Sequence, residues 1–571
     1  MIEGFVEAVR ASARERGDSP AFTELKYHRG NDASATTRSY TELDRDALAI
    51  GNWLSQRSRK GARVAIVCPQ DYRYVAAFVG CLYAGRIAVP LPNVESYRPN
   101  DRLVSVISDA EPEIVLTAES TVDQVADVLR EADLVAQVVA VEELVTIDPA
   151  GWSPEPMAPS DLAYLQYTSG STGTPSGVRI THGNIRANTE QILGFAPFVG
   201  PGATTVSWVP YFHDLGLVTG LVVPLAAGAH VVQLSPTAFI QVPYRWLKAV
   251  SDYRSCWMVG PNFSYDLCVR RVRPELKGDL DLSCVHGLIS GGEMVRPDSQ
   301  RAFFEAFSEC GLKPHIDAGS YGLAEATLCV TSWNEDSRDI EFVFDRDLLA
   351  ANVVRRVEPD SPTGRPMAPC GTALKDIDVR IVDPESHTEV VGEGVGEIWV
   401  QGPNIADGYW RQPERTAEVF GAVCDGLPGQ WLRTGDLGFF HNGLLFVSGR
   451  RKDLIVIDGK NHDPADIEAT IEGSPAGSVV ECSAALSVDD GHAEQVVIVT
   501  EVRRVDMAEE ETRTELGRNL RRVVHQTHGI HIQQIVLVPR GTIPKTSSRK
   551  VRRSECKSLL LASELKIIDR V

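Results

Sequence analysis

Residues 167–177 read YTSGSTGTPSG and follow directly on the apolar run 162–166, LAYLQ. Three glycines let a backbone turn its N–H groups toward one point, and the hydroxyls add donors, which is how a loop holds phosphate oxygens. The pattern is not GxxxxGK[ST], since neither Gly170 nor Gly173 begins a match. Thr168, Ser169, Gly170, Ser171, Thr172 and Gly173 are therefore candidates for phosphate contact, although a plain Ser/Gly connector has the same composition. Downstream, Glu325 ends YGLAE (321–325) and Asp436 ends RTGD (433–436). A carboxylate accepts hydrogen bonds from two donors at once. Asp436 suits that task, and an ordinary turn aspartate after Gly435 is the alternative. Arg450 and Lys452 lie in GRRKD (449–453), and Lys550 ends PKTSSRK (544–550). Alone, the first reads as a solvated charged turn and the second as a basic tail. A lysine on a flexible stem is also a movable point charge. His213, beside Tyr211 and Phe212, is either a reactive imidazole or a satisfied structural one.

These segments need elements to hold them. Residues 63–68 (RVAIVC) read as a buried strand, followed by a helix near 72–84 and a strand at 87–90. Residues 113–116, 138–141 and 231–234 are further short apolar runs. Strand–helix–strand alternation implies parallel sheets with helices on both faces. GEIWVQG (396–402), WLRTGDLG (431–438) and LLFVSGR (444–450) look like an antiparallel β element with Gly-rich turns. After Arg450 the style changes: LIVID, a helix over 464–471, VVIVTEV, a helix over 509–526 and QIVLVP make a compact α+β pattern. The expected fold class is α/β. A large N-terminal domain, residues 1–450, layers mixed sheets with helices and adds the β element. Residues 451–571 form a small, mobile α+β C-terminal domain. No fixed-period repeat is present, which excludes solenoids and propellers.

Composition narrows the class. The 571 residues are 43% hydrophobic and 23% charged, as in ordinary globular proteins. A net charge of −20 argues against a nucleic-acid partner, because phosphate contact needs clustered Lys and Arg. None of the eleven cysteines forms a CxxC pair, which fits reduced, buried thiols better than disulfides or zinc. The N-terminus has no basic flank and apolar core of a secretory signal. Residues 215–244 lack any Asp, Glu, Lys or Arg, but Pro224, Pro236 and Pro243 interrupt them. They read as a buried helix and then a buried strand rather than a membrane span of about 20 apolar residues. A cytoplasmic location without membrane insertion is expected.

The loop at 167–177, with YFHDLG (211–216), YGLAE, RTGD, GRRKD and PKTSSRK in that order, resembles the adenylate-forming superfamily. Segments 260–270 (GPNFSYDLCVR), YGLAEATL (321–328), GKNHDPADIE (459–468) and PKTSS look most like its fatty acyl-AMP ligases. The resemblance spans essentially the whole chain. It implies ATP- and Mg²⁺-dependent activation of a carboxylic acid, by default a long-chain fatty acid, as acyl-AMP with release of pyrophosphate. The acyl group then passes to the phosphopantetheine thiol of an acyl carrier protein or carrier domain. Coenzyme A as acceptor, or a turnover-impaired relative that binds nucleotide or acyl adenylate, are the alternatives. By resemblance, Glu325 ligates Mg²⁺ with Thr168 close by, and Tyr321, next to Gly322, stacks on adenine. Asp436 holds the ribose, Arg450 adds a ribose or phosphate contact, and His213 lies near the substrate carboxylate. Lys550 contacts the reacting oxygens, and Lys452 is the hinge. An insertion within 331–364 restrains the C-terminal domain in this family.

Three positions depart from the family pattern. Ser176 stands where the phosphate loop usually has Lys, Arg549 where Gly usually precedes the catalytic Lys, and Asp463 where an aromatic is expected. At a left-handed glycine position Arg549 costs about 1 kcal/mol or more. The departures bear on adenylation efficiency more than on nucleotide binding. Trp257 and Met258, just before GPNF, either shorten an acyl tunnel or pack in the core.

Overall fold

The computed structural model describes the chain apart from residues 1–3, 29, 95–100, 150, 169–174, 314–316, 333–341, 458–459, 490–493, 504–508 and 546–549. Among the described residues, the N-terminal part contains a six-stranded sheet. Its order is Gln137–Ala140, Ile114–Thr117, Arg63–Val67, Ile87–Pro90, Leu162–Thr168 and Ser176–Thr181. All neighbours are parallel except the last pair, an antiparallel hairpin. The strand Arg63–Val67 carries no polar alternation because both faces are covered. The helix Tyr72–Tyr83, which joins it to Ile87–Pro90, is buried from Tyr74 onward and accordingly apolar all round. It crosses the helix Tyr40–Arg57 at Gly80, where an added Cβ would lie 2.7 Å from Ile50.

A second sheet joins Ala33–Ser39, Pro20–Tyr27, His230–Leu234 and Thr204–Ser207. A third pairs Trp257–Gly260, Gly287–Ser290 and Asp317–Gly319 in parallel. The uncharged stretch over 215–244 is helical from Asp214 to Ala226, then a strand at His230–Leu234. Its middle turn, Val218–Val222, widens to a π-helix just before Pro224, whose missing N–H cannot continue the α ladder. Among the described residues no helix is long and apolar enough to cross a membrane. The expected β element is a four-stranded antiparallel sheet of Asp378–Val382, Gly396–Gln401, Leu432–His441 and Leu444–Arg450.

The small C-terminal domain has its own core, from Ile455 onward. Val480–Asp489, Glu494–Val502 and Ile532–Pro539 form a sheet whose side chains alternate between two clusters. Val496, Ile498, Ile535 and Leu537 face the helices Pro464–Gly473 and Glu510–His528. Val497, Val499, Val536 and Val538 face the helix Arg553–Leu561. In Glu510–His528, Leu516, Leu520 and Val524 recur every four residues as the buried stripe, and Gly529 (φ 71°) ends the helix. All eleven cysteines are free thiols; Cys482 is partly accessible and the others are buried.

Candidate active site

A cleft of about 1680 Å³ opens between the large domain and the small one. Thr168, His213, Tyr321, Gly322, Glu325, Asp436, Arg450, Lys452 and Lys550 all line it, although they come from distant parts of the chain. Ser169, Gly170, Ser171, Thr172 and Gly173 lie outside the described residues. Their flanks are fixed: Thr168 and Ser176 are paired across the antiparallel hairpin Leu162–Thr168/Ser176–Thr181.

The RTGD turn is knotted to the neighbouring strand. Gly435 (φ 71°) takes the left-handed conformation that favours glycine, and its N–H donates to Glu397 at 3.1 Å. Arg433 donates to the same carboxylate at 2.8 Å. The Thr434 hydroxyl donates to the Ile398 carbonyl at 2.7 Å and accepts from the Asp436 N–H at 3.1 Å. Asp436 and Arg450 are thereby cross-strand partners, with Arg450 Nε donating to Asp436 at 2.7 Å. The Tyr321 hydroxyl donates to the other carboxylate oxygen at 2.9 Å. Burial, and then the Asp436 charge, push that phenol well above its usual value. Asp436 in turn raises the Arg450 guanidinium, which keeps its charge.

Glu325 sits in the short turn Ala324–Ala326, one residue after Tyr321–Gly322. A Cβ on Gly322 would come within 1.8 Å of the Leu328 carbonyl oxygen, so only glycine allows this turn to close. Thr327 (φ 66°) is held in a conformation that a β-branched residue rarely adopts. Its hydroxyl is tied to the Asn404 carbonyl at 2.7 Å. Glu325 Oε1 accepts from the Tyr409 hydroxyl at 2.7 Å.

Lys550 is delivered by the small domain. Lys545 and Val551 form a β-bridge, the Arg552 N–H donates to the Pro544 carbonyl at 2.8 Å, and the Lys545 ammonium pairs with Glu501 at 3.0 Å. Burial pushes the Lys550 ammonium below the usual lysine value, partly offset by Glu293, Asp214 and Asp436. Asp214 itself is pushed up by burial, with Lys550 pulling it down and Glu325 adding to the rise. His213 immediately precedes the helix Asp214–Leu217, its ring 4.8 Å from that of Phe212. Lys452 lies at the cleft edge in the turn Arg451–Asp453; desolvation first and Arg450 second lower its pKa.

Sequence reading overlooked Asp214, Glu293, Tyr409 and Arg415, all of which line the cleft. Asp214 was visible inside YFHDLG. Arg415 carries no local signal: it lies in the charged helix Pro413–Phe420 and reaches Ser176 through space.

The Asp463 departure has a structural account. Asp463 caps the helix Pro464–Gly473, accepting from the Ala465 N–H at 2.9 Å. It also pairs with Arg365 of the strand Gly364–Met367 at 3.4 Å, and Arg365 reaches Asp466 at 2.8 Å. Gly449 leaves the room, since a Cβ there would lie 2.8 Å from the Asp463 carboxylate. Arg346, beside the strand Phe342–Asp345, donates to the Thr527 carbonyl at 2.6 Å. The described part of 331–364 therefore rests on the small domain. Trp257 and Met258 are buried in two separate apolar clusters and do not line the cleft. Arg549 lies outside the described residues.

Residues 9–410 match the AMP-binding enzyme family, and residues 452–570 match the AMP domain of the Disco-interacting protein 2-like type. The chain is 37% identical, over the full length of both, to a Mycobacterium tuberculosis protein that carries the name fatty-acid–CoA ligase FadD25. It is also 37% identical to the long-chain-fatty-acid–AMP ligase FadD26 of Mycobacterium marinum, covering 96% of this chain and 95% of that one. Among solved structures, the fatty acyl-adenylate ligase of Legionella pneumophila in complex with acyl adenylate and pyrophosphate superimposes with a TM-score of 0.75. There the identity is 32%, covering 100% of this chain and 97% of that one. With its motifs gathered in one cleft and this likeness along its length, the chain belongs to the AMP-binding, adenylate-forming enzymes, in their fatty acyl-AMP ligase-like branch.

Proposed function

We propose that the chain joins a fatty acid to AMP and then passes the acyl group to the phosphopantetheine thiol of a carrier protein. In the first step a carboxylate oxygen attacks the α-phosphorus of ATP and the bond to pyrophosphate breaks. In the second, a thiolate sulfur attacks the acyl carbon and AMP leaves. One observation carries this reading: Asp436 with Arg450, Glu325 and Lys550 meet in a single cleft. Both reactants are anions, so catalysis is mainly charge neutralisation and alignment.

Asp436 and Arg450 hold the ribose, and Tyr321 orients Asp436 through its hydroxyl while offering a ring to adenine beside Gly322. Thr168 and the loop from Ser169 to Gly173 hold phosphate oxygens, and His213 faces the substrate carboxylate. Lys550 neutralises the charge that builds between the attacking and leaving oxygens. Glu325 and Thr168 offer a hard carboxylate and a hydroxyl, a donor set that fits a Mg²⁺ carried mainly by substrate phosphates and water. When bound, Mg²⁺ supplies neutralisation of the phosphate charge. We place the domain boundary at 450/451 with Lys452 as hinge, and the reduced thiols fit a cytoplasmic enzyme.

The carrier-protein acceptor is supported by the Arg346 and Arg365 contacts, which hold the small domain against 342–367 and oppose a swing toward coenzyme A. The test is a competition in one tube: ATP, Mg²⁺, mixed fatty acids, coenzyme A and a phosphopantetheinylated carrier protein, read by mass spectrometry. Acyl-carrier product without acyl-CoA is expected; acyl-CoA as the main product overturns the acceptor.

The lowered pKa of Lys550 has a pH signature. Its protonated form is the active one, so kcat/KM for ATP falls on an alkaline limb below the ordinary lysine value of 10.5. In Lys550→Arg the limb moves upward, because a guanidinium keeps its proton. A limb at or above 10.5, or one unmoved by Lys550→Arg, removes Lys550 from that role.

A further inference from the structure

Ser176 lacks the charge expected beside the phosphate loop, and we propose that Arg415 supplies it, binding the pyrophosphate half of ATP. This inference rests on the adenylation reading and adds a binding residue to it. Ser176 is fully buried, and its hydroxyl accepts from Arg415 Nη1. The same nitrogen donates to Gln412 at 3.2 Å. The guanidinium lies over the Tyr409 ring, 4.3 Å from its centre, and the Tyr409 hydroxyl is the one bonded to Glu325. Arg415 is thus fixed on an aromatic platform between the Thr168–Ser176 pair that closes the hairpin and the carboxylate assigned to Mg²⁺.

Its electrostatic setting differs from that of its neighbours. Arg365, Arg433, Arg450 and Arg553 each have a carboxylate partner. Among the described residues no carboxylate lies within ion-pair distance of Arg415, and its hydrogen bonds to Ser176 and Gln412 leave from Nη1. A guanidinium that lines the cleft with no carboxylate paired to it among the described residues, in a chain of net charge −20, is arranged for an anion that arrives from solution. Its planar fork matches two phosphate oxygens at once, which a lysine at position 176 could not do. The missing loop lysine is therefore replaced from a helix 239 residues further along the chain.

Calorimetric binding of magnesium pyrophosphate, ATP and AMP to the full chain tests the assignment. Arg415→Ala is expected to weaken pyrophosphate and ATP about 10- to 100-fold, the loss typical of one charged hydrogen-bonding group. AMP, which lacks the β- and γ-phosphates, keeps its affinity. Arg415→Lys, which keeps the charge but loses the fork and the stacking on Tyr409, falls between the parent and Arg415→Ala. The double variant Ser176→Lys with Arg415→Ala, in which alanine vacates room for the new ammonium, regains most of the pyrophosphate affinity. Unchanged pyrophosphate binding in Arg415→Ala overturns the proposal. So does an equal loss for AMP, which would make Arg415 a mere support of Tyr409 and Glu325. If the parent chain binds neither ATP nor AMP, the adenylation reading falls first and this inference with it.

Discussion

Lys550→Ala lowers the rate of acyl-adenylate formation about 100- to 1000-fold, the range seen when one preorganised group that stabilises transition-state charge is removed. Lys550 shares the cleft with Asp214, Asp436 and Glu293, and the Lys545–Val551 bridge fixes the base of its segment. Its contribution grows as negative charge concentrates between carboxylate and α-phosphate, so the ground-state complex loses little. ATP affinity should therefore change only a few-fold while pyrophosphate release almost stops. Thioester formation from pre-made acyl-AMP gives an internal control, because that half-reaction passes no charge through the α-phosphorus attack. Pyrophosphate release at the parental rate would exclude Lys550 from the chemistry.

Asp436→Ala has the second large effect, and on binding rather than rate. Two hydroxyl contacts to a charged acceptor are each worth about 1.5–3 kcal/mol, which implies a loss of roughly 100-fold or more for ATP and AMP alike. The substitution also leaves Arg450 without its 2.7 Å partner and frees the Tyr321 hydroxyl from its 2.9 Å bond. Pyrophosphate alone should bind as before, the reverse of the pattern expected at Arg415. Dideoxy-ATP sharpens the test: the parent discriminates against it, whereas Asp436→Ala does not. Equal discrimination by both proteins would refute the ribose role.

Much of the frame was legible because local chemistry was unambiguous. The strand at 87–90 and the helices beginning at Tyr72 and Pro464 lie where apolar runs meet turn residues and caps. The motif residues from Thr168 to Lys550 were also visible, since each sits in a short, distinctive phrase. What stayed hidden was pairing across the chain. Asp463 read as a departure because its partner Arg365 lies 98 residues away, and Ser176 read as a lost charge because Arg415 lies 239 residues away. A charged helix such as PERTAEVF has no internal mark that tells a solvated face from a ligand-facing one. Tyr409 is similar: the phrase GYW gives an aromatic residue but not the hydroxyl contact with Glu325 that places it in the site. Trp257 and Met258 show the converse, bulky residues beside a distinctive segment whose work is packing.

The junction of the two domains is made in part by Arg365 with Asp463 and Asp466, and by Arg346 with the Thr527 carbonyl. Arg365 and Asp463 are both buried, so parting them strands charges that their mutual pairing compensates. A joint built on leucines would instead tolerate sliding, because apolar contact has no direction. A seam of paired charges fits in one register only, and acts as a latch between the two domains.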